Sequence, residues 1–334
     1  MKLCGILLLV VCVYSSPISK EENLVVDDTF FPNELVIHTS QNDIVNLFVP
    51  LNALNFNDDD SDETEGSNVS DNAIIFFVEG ERGQNGIIDS TGLYVLKKKV
   101  ATKLLDNGRD FVAPTDDSKI VYFAATDGLY VYDEEKNKAE KYGTVTENII
   151  SIAKKENDDA LYILTEDKQL YKVTDDGNKK VKIAEVNNAV QIMGDYSSSL
   201  YYLDSDKVAY VVNKDGVKKI SGLPSNPSEV LLLKPVFVIE DGVPLVVDDK
   251  VYTIYANGTA EFADIELKTK PTAYSPEGTL IQYYAHDKKI YEYNLLAILI
   301  GEILNDLKQY IDSEKEQITE IATKKRSKLI SKGH

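Results

Sequence analysis

The 334-residue chain has no tryptophan, two cysteines, two methionines and three histidines. Each scarcity removes a chemistry. The histidines, His38, His286 and His334, are scattered, and none sits in a motif that would pair it with a nucleophilic serine. No phosphate-cradling glycine loop, dinucleotide fingerprint, nucleophile elbow or zinc-protease helix pair is present. Positive charge is also short, with 36 Lys and Arg against 55 Asp and Glu, for a net charge of −19. That balance argues against nucleic acid, which needs a lysine- and arginine-rich face, and against an anionic membrane surface. Hydrophobic residues make up 43% and charged residues 27%, so the chain has enough apolar material for a large core and is not disordered as a whole.

The first residues combine Lys2, an apolar run from Leu3 to Tyr14 and small residues after it. This is the pattern of a secretory signal peptide, with cleavage near Ser15. The run is too short to span a bilayer, which takes about 20 residues. Both cysteines, Cys4 and Cys12, lie in this leader, so the mature chain is expected to have no disulfide, no thiolate nucleophile and no cysteine-based zinc site. Two glycosylation sequons, at Asn68 and Asn257, fit an extracellular protein. At the other end Leu296, Ile300, Ile303, Leu307 and Ile311 recur at helical spacing, and Glu302 and Asp306 interrupt any membrane-length apolar run. Residues 294–334 are therefore predicted to form an α-helix with a basic tail. The helix either caps the fold, binds a protein partner or self-associates as a short coiled coil.

An internal repeat organises the middle. An apolar-Tyr-x-apolar step recurs with its tyrosine at 94, 130, 171, 210, 252 and 291. The spacing is about forty residues, the blade period of β-propellers. Asp127-Gly128, Asp176-Gly177, Asp215-Gly216 and Asn257-Gly258 mark tight hairpins between the strands. The last unit lacks a fourth strand, and Glu34-Leu-Val-Ile-His38 offers one. The prediction is all-β: a six-bladed β-propeller over 34–293, closed by an N-terminal strand. It follows a signal peptide (1–15) and an N-terminal segment (16–33), and a C-terminal α-helix comes after it. A β-sandwich would not explain the forty-residue period. The first unit carries an insertion, 57–71, with seven acids. Asp58, Asp60 and Asp62 mimic the start of a calcium loop, but Glu63 stands where glycine is needed and Val69 where a bidentate Glu is needed. The insertion reads as a glycosylated surface loop.

The inner-strand starts of such a ring face its channel. They offer Arg109 and Asp110, Glu147 and Asn148, Asn187 and Asn188, Glu229, and Lys270 with Thr272. Asp110, Asn148, Asn188 and Glu229 carry oxygen donors that suit a hard cation, a hydrogen-bonded ligand or the capping of strand ends. Arg109 and Lys270 near one mouth favour an anionic ligand over a bare cation. The repeated tyrosines sit at equivalent positions in every unit and read as packing.

The run from Thr126-Asp-Gly-Leu-Tyr to Lys141-Tyr-Gly143 resembles the ommochrome-binding proteins of moth and butterfly haemolymph. So do Asp28-Thr-Phe-Phe-Pro32, Gly92-Leu-Tyr-Val95, Asn148-Ile149 and Gln169-Leu-Tyr-Lys-Val173. The likeness runs from about Asp28 to Tyr293. It implies a secreted haemolymph carrier that binds a flat, acidic, tryptophan-derived pigment without catalysis, cofactor or metal. Such a ligand calls for a dry cleft, aromatic faces and a few placed donors. Arg109, Asp110, Asn148, Asn188 and Glu229 are the expected ligand-binding residues. A calcium-dependent lactonase or esterase, or a protein-interaction propeller using the C-terminal helix, are the other readings of the same pattern.

Overall fold

The computed structural model describes residues 23–51, 73–83, 86–116, 118–156, 158–236, 239–276 and 281–294. The expected leader, the acidic insertion with Asn68, and the expected C-terminal helix with its basic tail lie outside the described residues. The chain divides into two units, Met1–Tyr293 and Asn294–His334, and every described strand begins within the first.

Six antiparallel sheets follow one another along the chain as the blades of a β-propeller. Blade 1 comprises Ile44–Phe48, Ile75–Arg82, Ile88–Lys97 and Val100–Leu105, and blade 2 Gly108–Val112, Tyr122–Ala125, Gly128–Asp133 and Lys138–Lys141. Blade 3 runs through Ile149–Lys154, Leu161–Thr165, Leu170–Thr174 and Lys179–Lys182, and blade 4 through Ala189–Gly194, Leu200–Asp204, Ala209–Asn213 and Gly216–Lys219. Blade 5 is built of Val230–Leu232, Gly242–Val247, Lys250–Tyr255 and Ala260–Leu267, and blade 6 of Ala273–Pro276, Ile281–His286 and Lys289–Asn294. The fourth strand of blade 6 is N-terminal: Val36–Thr39 pairs with Lys289–Asn294, as Val36 with Tyr291 and Thr39 with Lys289. First and last parts of the chain thus share one sheet, which closes the ring and removes two open edges.

Within a blade the composition grades from inside to outside. In blade 3 the first two strands are buried almost throughout, while Lys179-Lys-Val-Lys182 is exposed at all four positions. Lysines on that outer strand keep an unpaired edge from recruiting another chain. The repeated tyrosines belong to the third strands. They are half-buried in the first five blades and buried in the last. Lys103, Lys141 and Lys180 of the fourth strands lie over the rings of Tyr94, Tyr130 and Tyr171, at 5.8, 4.2 and 4.7 Å from the centroids. In blades 1 to 3 the tyrosine is therefore a packing device, its ring covered by a lysine whose ammonium also pairs with a carboxylate.

One segment does more than its sequence suggests. Residues 16–33 are expected only as an N-terminal segment without an assigned element, but Leu24–Val26 pairs in parallel with Ile265–Leu267 and adds a fifth strand to blade 5. A short 3-10 turn, Asp28–Phe30, follows, with the Asp27 carboxylate accepting from Thr29 N–H at 2.9 Å. The chain then enters blade 6. The N-terminal segment therefore straddles the seam between blades 5 and 6.

Candidate ligand-binding site

The innermost strands carry a repeated irregularity. In blades 1 to 4 the register slips by one residue between Ile44 and Asn46, Gly108 and Asp110, Ile149 and Ser151, and Ala189 and Gln191. A bulge re-aims the side chain that follows it, and in these blades that side chain is polar each time and reaches the next blade. Asn46 Nδ2 donates to Asp110 Oδ1 at 2.9 Å and to the Arg109 carbonyl at 3.2 Å. Asp110 Oδ1 also accepts from Phe111 N–H at 2.9 Å, and its Oδ2 accepts from the Ser151 hydroxyl and Ile152 N–H at 2.9 and 3.0 Å. Ile192 N–H reaches the Ser151 hydroxyl oxygen at 3.4 Å. Gln191 exchanges two bonds of 2.9 Å with the backbone of Leu232. Thr272 Oγ1 donates to the Ile44 carbonyl at 2.6 Å and Val49 N–H to Ser275 Oγ at 2.9 Å, joining blade 6 to blade 1.

This series corrects the sequence-based expectations. Asp110 was expected to face a ligand, yet both its oxygens are spent on three blades, so it is a strut. Asn148, Asn188 and Glu229 share one structural position with Asp43 and Asn107. At each, the backbone carbonyl accepts an N–H from the second strand, at its bulge in blade 1 (Gly80) and from the residue just past it in the others (Thr126, Glu166, Ser205 and Asp248), at 2.9 to 3.2 Å. They are strand-entry caps. Asn188 is exposed with φ +55°, a turn conformation. Asn148 accepts from Arg109 Nη1 and donates to the Glu166 carboxylate, so Arg109 is turned to the rim rather than to an open channel. Of the five candidates Glu229 lines a larger space, at its rim, where its carboxylate takes a 2.5 Å bond from Lys270 Nζ, and Asp110 borders only a narrow space inside the ring.

The seam between blades 5 and 6 lacks the strut. Val230–Leu232 pairs without a bulge, and the positions that are polar elsewhere are Leu231, Leu232 and Leu233 in this blade. Among the described residues no side-chain hydrogen bond joins these two inner strands. The seam encloses a cavity of about 480 Å³, walled by Val26, Phe30, Leu231, Leu233, Tyr274 and Tyr284. The hydroxyl of Tyr274 is buried and has no hydrogen-bond partner among the described residues.

Arg82, which sequence reasoning missed, stands at the mouth of this cavity. The second and third strands of blade 1 are longer than those of most other blades and continue into a hairpin, bulged at Gly80. The hairpin leans across the mouth far enough for Ile87 to pack on the cluster of blades 3 and 4. Arg82 Nη2 donates to the Val45 carbonyl at 2.7 Å and Nη1 to the Gly86 carbonyl at 3.2 Å. Its stem is half-exposed, but its guanidinium lies deep. Burial lowers its pKa, with Asp110 and Glu229 opposing at a distance. Among the described residues no carboxylate comes within ion-pair distance of it. A second space, of about 700 Å³, opens on the blade 4 side of the same guanidinium, with Lys168 and Lys207 on its wall. The signal available in sequence was the run Glu79-Gly-Glu-Arg-Gly-Gln-Asn-Gly86, a polar stretch longer than the two-residue turns of the other units.

No protein-family model matches the sequence, and no curated protein matches it. Among solved structures, a protein of unknown function from Bacteroides thetaiotaomicron superposes with a TM-score of 0.51 at 12% identity, over 75% of this chain and 69% of that one. Streptogramin B lyase superposes with a TM-score of 0.49 at 11% identity, over 77% and 95%. PorZ of Porphyromonas gingivalis gives 0.47 at 13%, over 66% of this chain, which spans only 29% of PorZ. These likenesses concern the fold alone.

Proposed function

We propose that the protein is a secreted carrier that holds a small, flat, aromatic anion of the ommochrome class, without catalysis, in the cavity between blades 5 and 6. The observation that carries the reading is the Arg82 guanidinium, a deep-set cation held, among the described residues, by backbone carbonyls alone. A buried charge without a counter-charge is costly, and an anionic ligand would supply one. The cavity volume of about 480 Å³ falls within the range of roughly 300–1,000 Å³ typical of small-molecule sites. Phe30, Tyr274 and Tyr284 offer aromatic faces. Phe30 belongs to Asp28-Thr-Phe-Phe-Pro32, one of the segments through which the sequence resembles the ommochrome-binding proteins.

The calcium-hydrolase reading has less support. Asp110 has no free lone pair to offer, and the described residues bring no three His, Cys, Asp or Glu side chains together. An absorption titration with an ommochrome tests the proposal. The pigment band should shift on binding, and Arg82→Gln should weaken binding at least about thirtyfold, because losing one partner of an enclosed charge pair costs about 2 kcal/mol or more. No spectral change with the wild-type protein would sink the carrier reading. A shift that Arg82→Gln leaves intact would move the ligand elsewhere.

A further inference from the structure

The inner strands end at the opposite mouth of the channel, and a second, smaller chamber lies there. Phe48 and Phe111 stack with centroids 5.6 Å apart and planes 21° from parallel. Lys234, just past the inner strand of blade 5, places Nζ over both rings, at 5.1 and 5.3 Å. Its side chain is 13% exposed, and Nζ stands 3.9 Å from Asp110 Oδ1. That oxygen already accepts two hydrogen bonds, from Asn46 and Phe111.

An ammonium carries three N–H donors. Aromatic faces balance charge but accept no strong hydrogen bond, and a carboxylate at 3.9 Å lies outside hydrogen-bond reach. Among the described residues, no acceptor takes a hydrogen bond from Lys234. Four other charged groups, Lys154, Lys155, Glu156 and Asp195, stand on the wall. Lys154 donates to the Asp158 carbonyl, and Lys155 lies over the Tyr162 ring at 5.0 Å. The Asp195 carboxylate accepts from Ser197, Ser199 and Tyr201. Along the channel the enclosed charges run Arg82 (+), Asp110 (−), Lys234 (+), and the narrow space between the mouths touches all three. The channel therefore keeps an excess positive charge inside a protein of net charge −19.

We infer that the Lys234 chamber is a second binding site, for a small aromatic carboxylate. Its carboxylate would accept from Lys234 Nζ, and its ring would lie against Phe48 and Phe111. The free space of about 90 Å³ is far smaller than the cavity between blades 5 and 6 and smaller than the roughly 150 Å³ of a closed cavity that holds benzene, so a single-ring acid would enter carboxylate first with its ring only partly enclosed. The inference rests on Lys234 and not on the carrier reading.

Calorimetric titration of the full chain with benzoate tests it. Wild type should bind, and Lys234→Met, which keeps the bulk and removes the charge, should bind at least tenfold more weakly. Equal affinity for the two, or no binding by wild type at millimolar benzoate, overturns the site. A second measurement needs no variant. In protein whose lysines carry ¹³C-methyl groups, benzoate should shift the resonance of the most enclosed lysine, and its failure to move overturns the site as well. If an ommochrome binds elsewhere, benzoate binding should persist in pigment-saturated protein. Complete displacement by pigment would assign the benzoate to the first cavity and sink this proposal, while failure of any pigment to bind would leave the Lys234 comparison standing.

Discussion

Asp110 and Asn188 looked alike as channel-facing donors, and their surroundings separate them. Asp110 accepts four hydrogen bonds from groups on three blades. Asp110→Ala would leave those donors without their acceptor and the Lys234 charge without its counter-charge. We expect it to lower stability by about 3–5 kcal/mol, read from the urea midpoint at unchanged slope. Asn188 touches nothing comparable, and its φ of +55° suits glycine. Asn188→Gly should therefore unfold within a few tenths of a kcal/mol of wild type, whereas Asn188→Ala should cost about 1 kcal/mol. Neither change at 188 should alter pigment affinity. His38, on the ring-closing strand, gives a pH prediction. Burial lowers its pKa from 6.5, partly opposed by Glu79. The folded state thus favours the neutral ring. Its contribution is complete above pH 6.5 and is lost as pH falls through the depressed folded value, because the unfolded chain takes the proton first. His38→Gln should then lose less stability than wild type between pH 7.5 and 5, and superimposable pH curves for the two proteins would refute the assignment.

At the scale of elements, the blade 1 hairpin decides where Arg82 goes, and Gly80 decides where the hairpin goes. Gly80 has φ +153°, and a Cβ there would stand 2.2 Å from the Asp89 carbonyl oxygen. Gly80→Ala must push the two strands apart, so it should cost more than about 1 kcal/mol and weaken pigment binding together with Tm. An alanine variant that loses stability but keeps full affinity would detach the hairpin from the site. This element also shows what was legible in sequence. The blades could be read because every unit repeats the same tasks: a largely apolar inner strand and a tyrosine on the third strand, with a lysine above that ring in blades 1 to 3. The closing strand could be read because the last unit was one strand short. The Arg82 hairpin has no counterpart in the other units, so periodicity says nothing about it. Leu24–Val26 was missed because three residues show no alternation. The struts were misread because an inward polar side chain looks the same whether a ligand or the next blade's backbone completes it. Only ring geometry distinguishes the two.

The molecule as a whole carries 19 more acids than bases. Its surface pairs are the kind that contribute little: Lys136 with Asp133 and Glu140, Lys141 with Asp127, and Lys250 with Glu266 are all partly or largely exposed. Such pairs are worth about 0–1 kcal/mol each, and salt screens them. The unpaired excess acts the other way, since like charges held in one compact body repel and the unfolded chain spreads them apart. Raising NaCl from about 0.01 to 0.15 M shortens the screening length from roughly 30 to 8 Å, less than the span of the ring. Repulsion across the ring is damped more than contact pairs at about 3 Å. Net stability should therefore rise with salt over this range, read as a higher Tm. A flat or falling Tm would mean that the surface pairs outweigh the excess charge. The Arg82–ligand contact, enclosed between the hairpin and the seam, should respond far less than the global fold, because salt screens an enclosed pair poorly. A pigment affinity that collapses over the same range would place the ligand on the open surface instead of in the cavity.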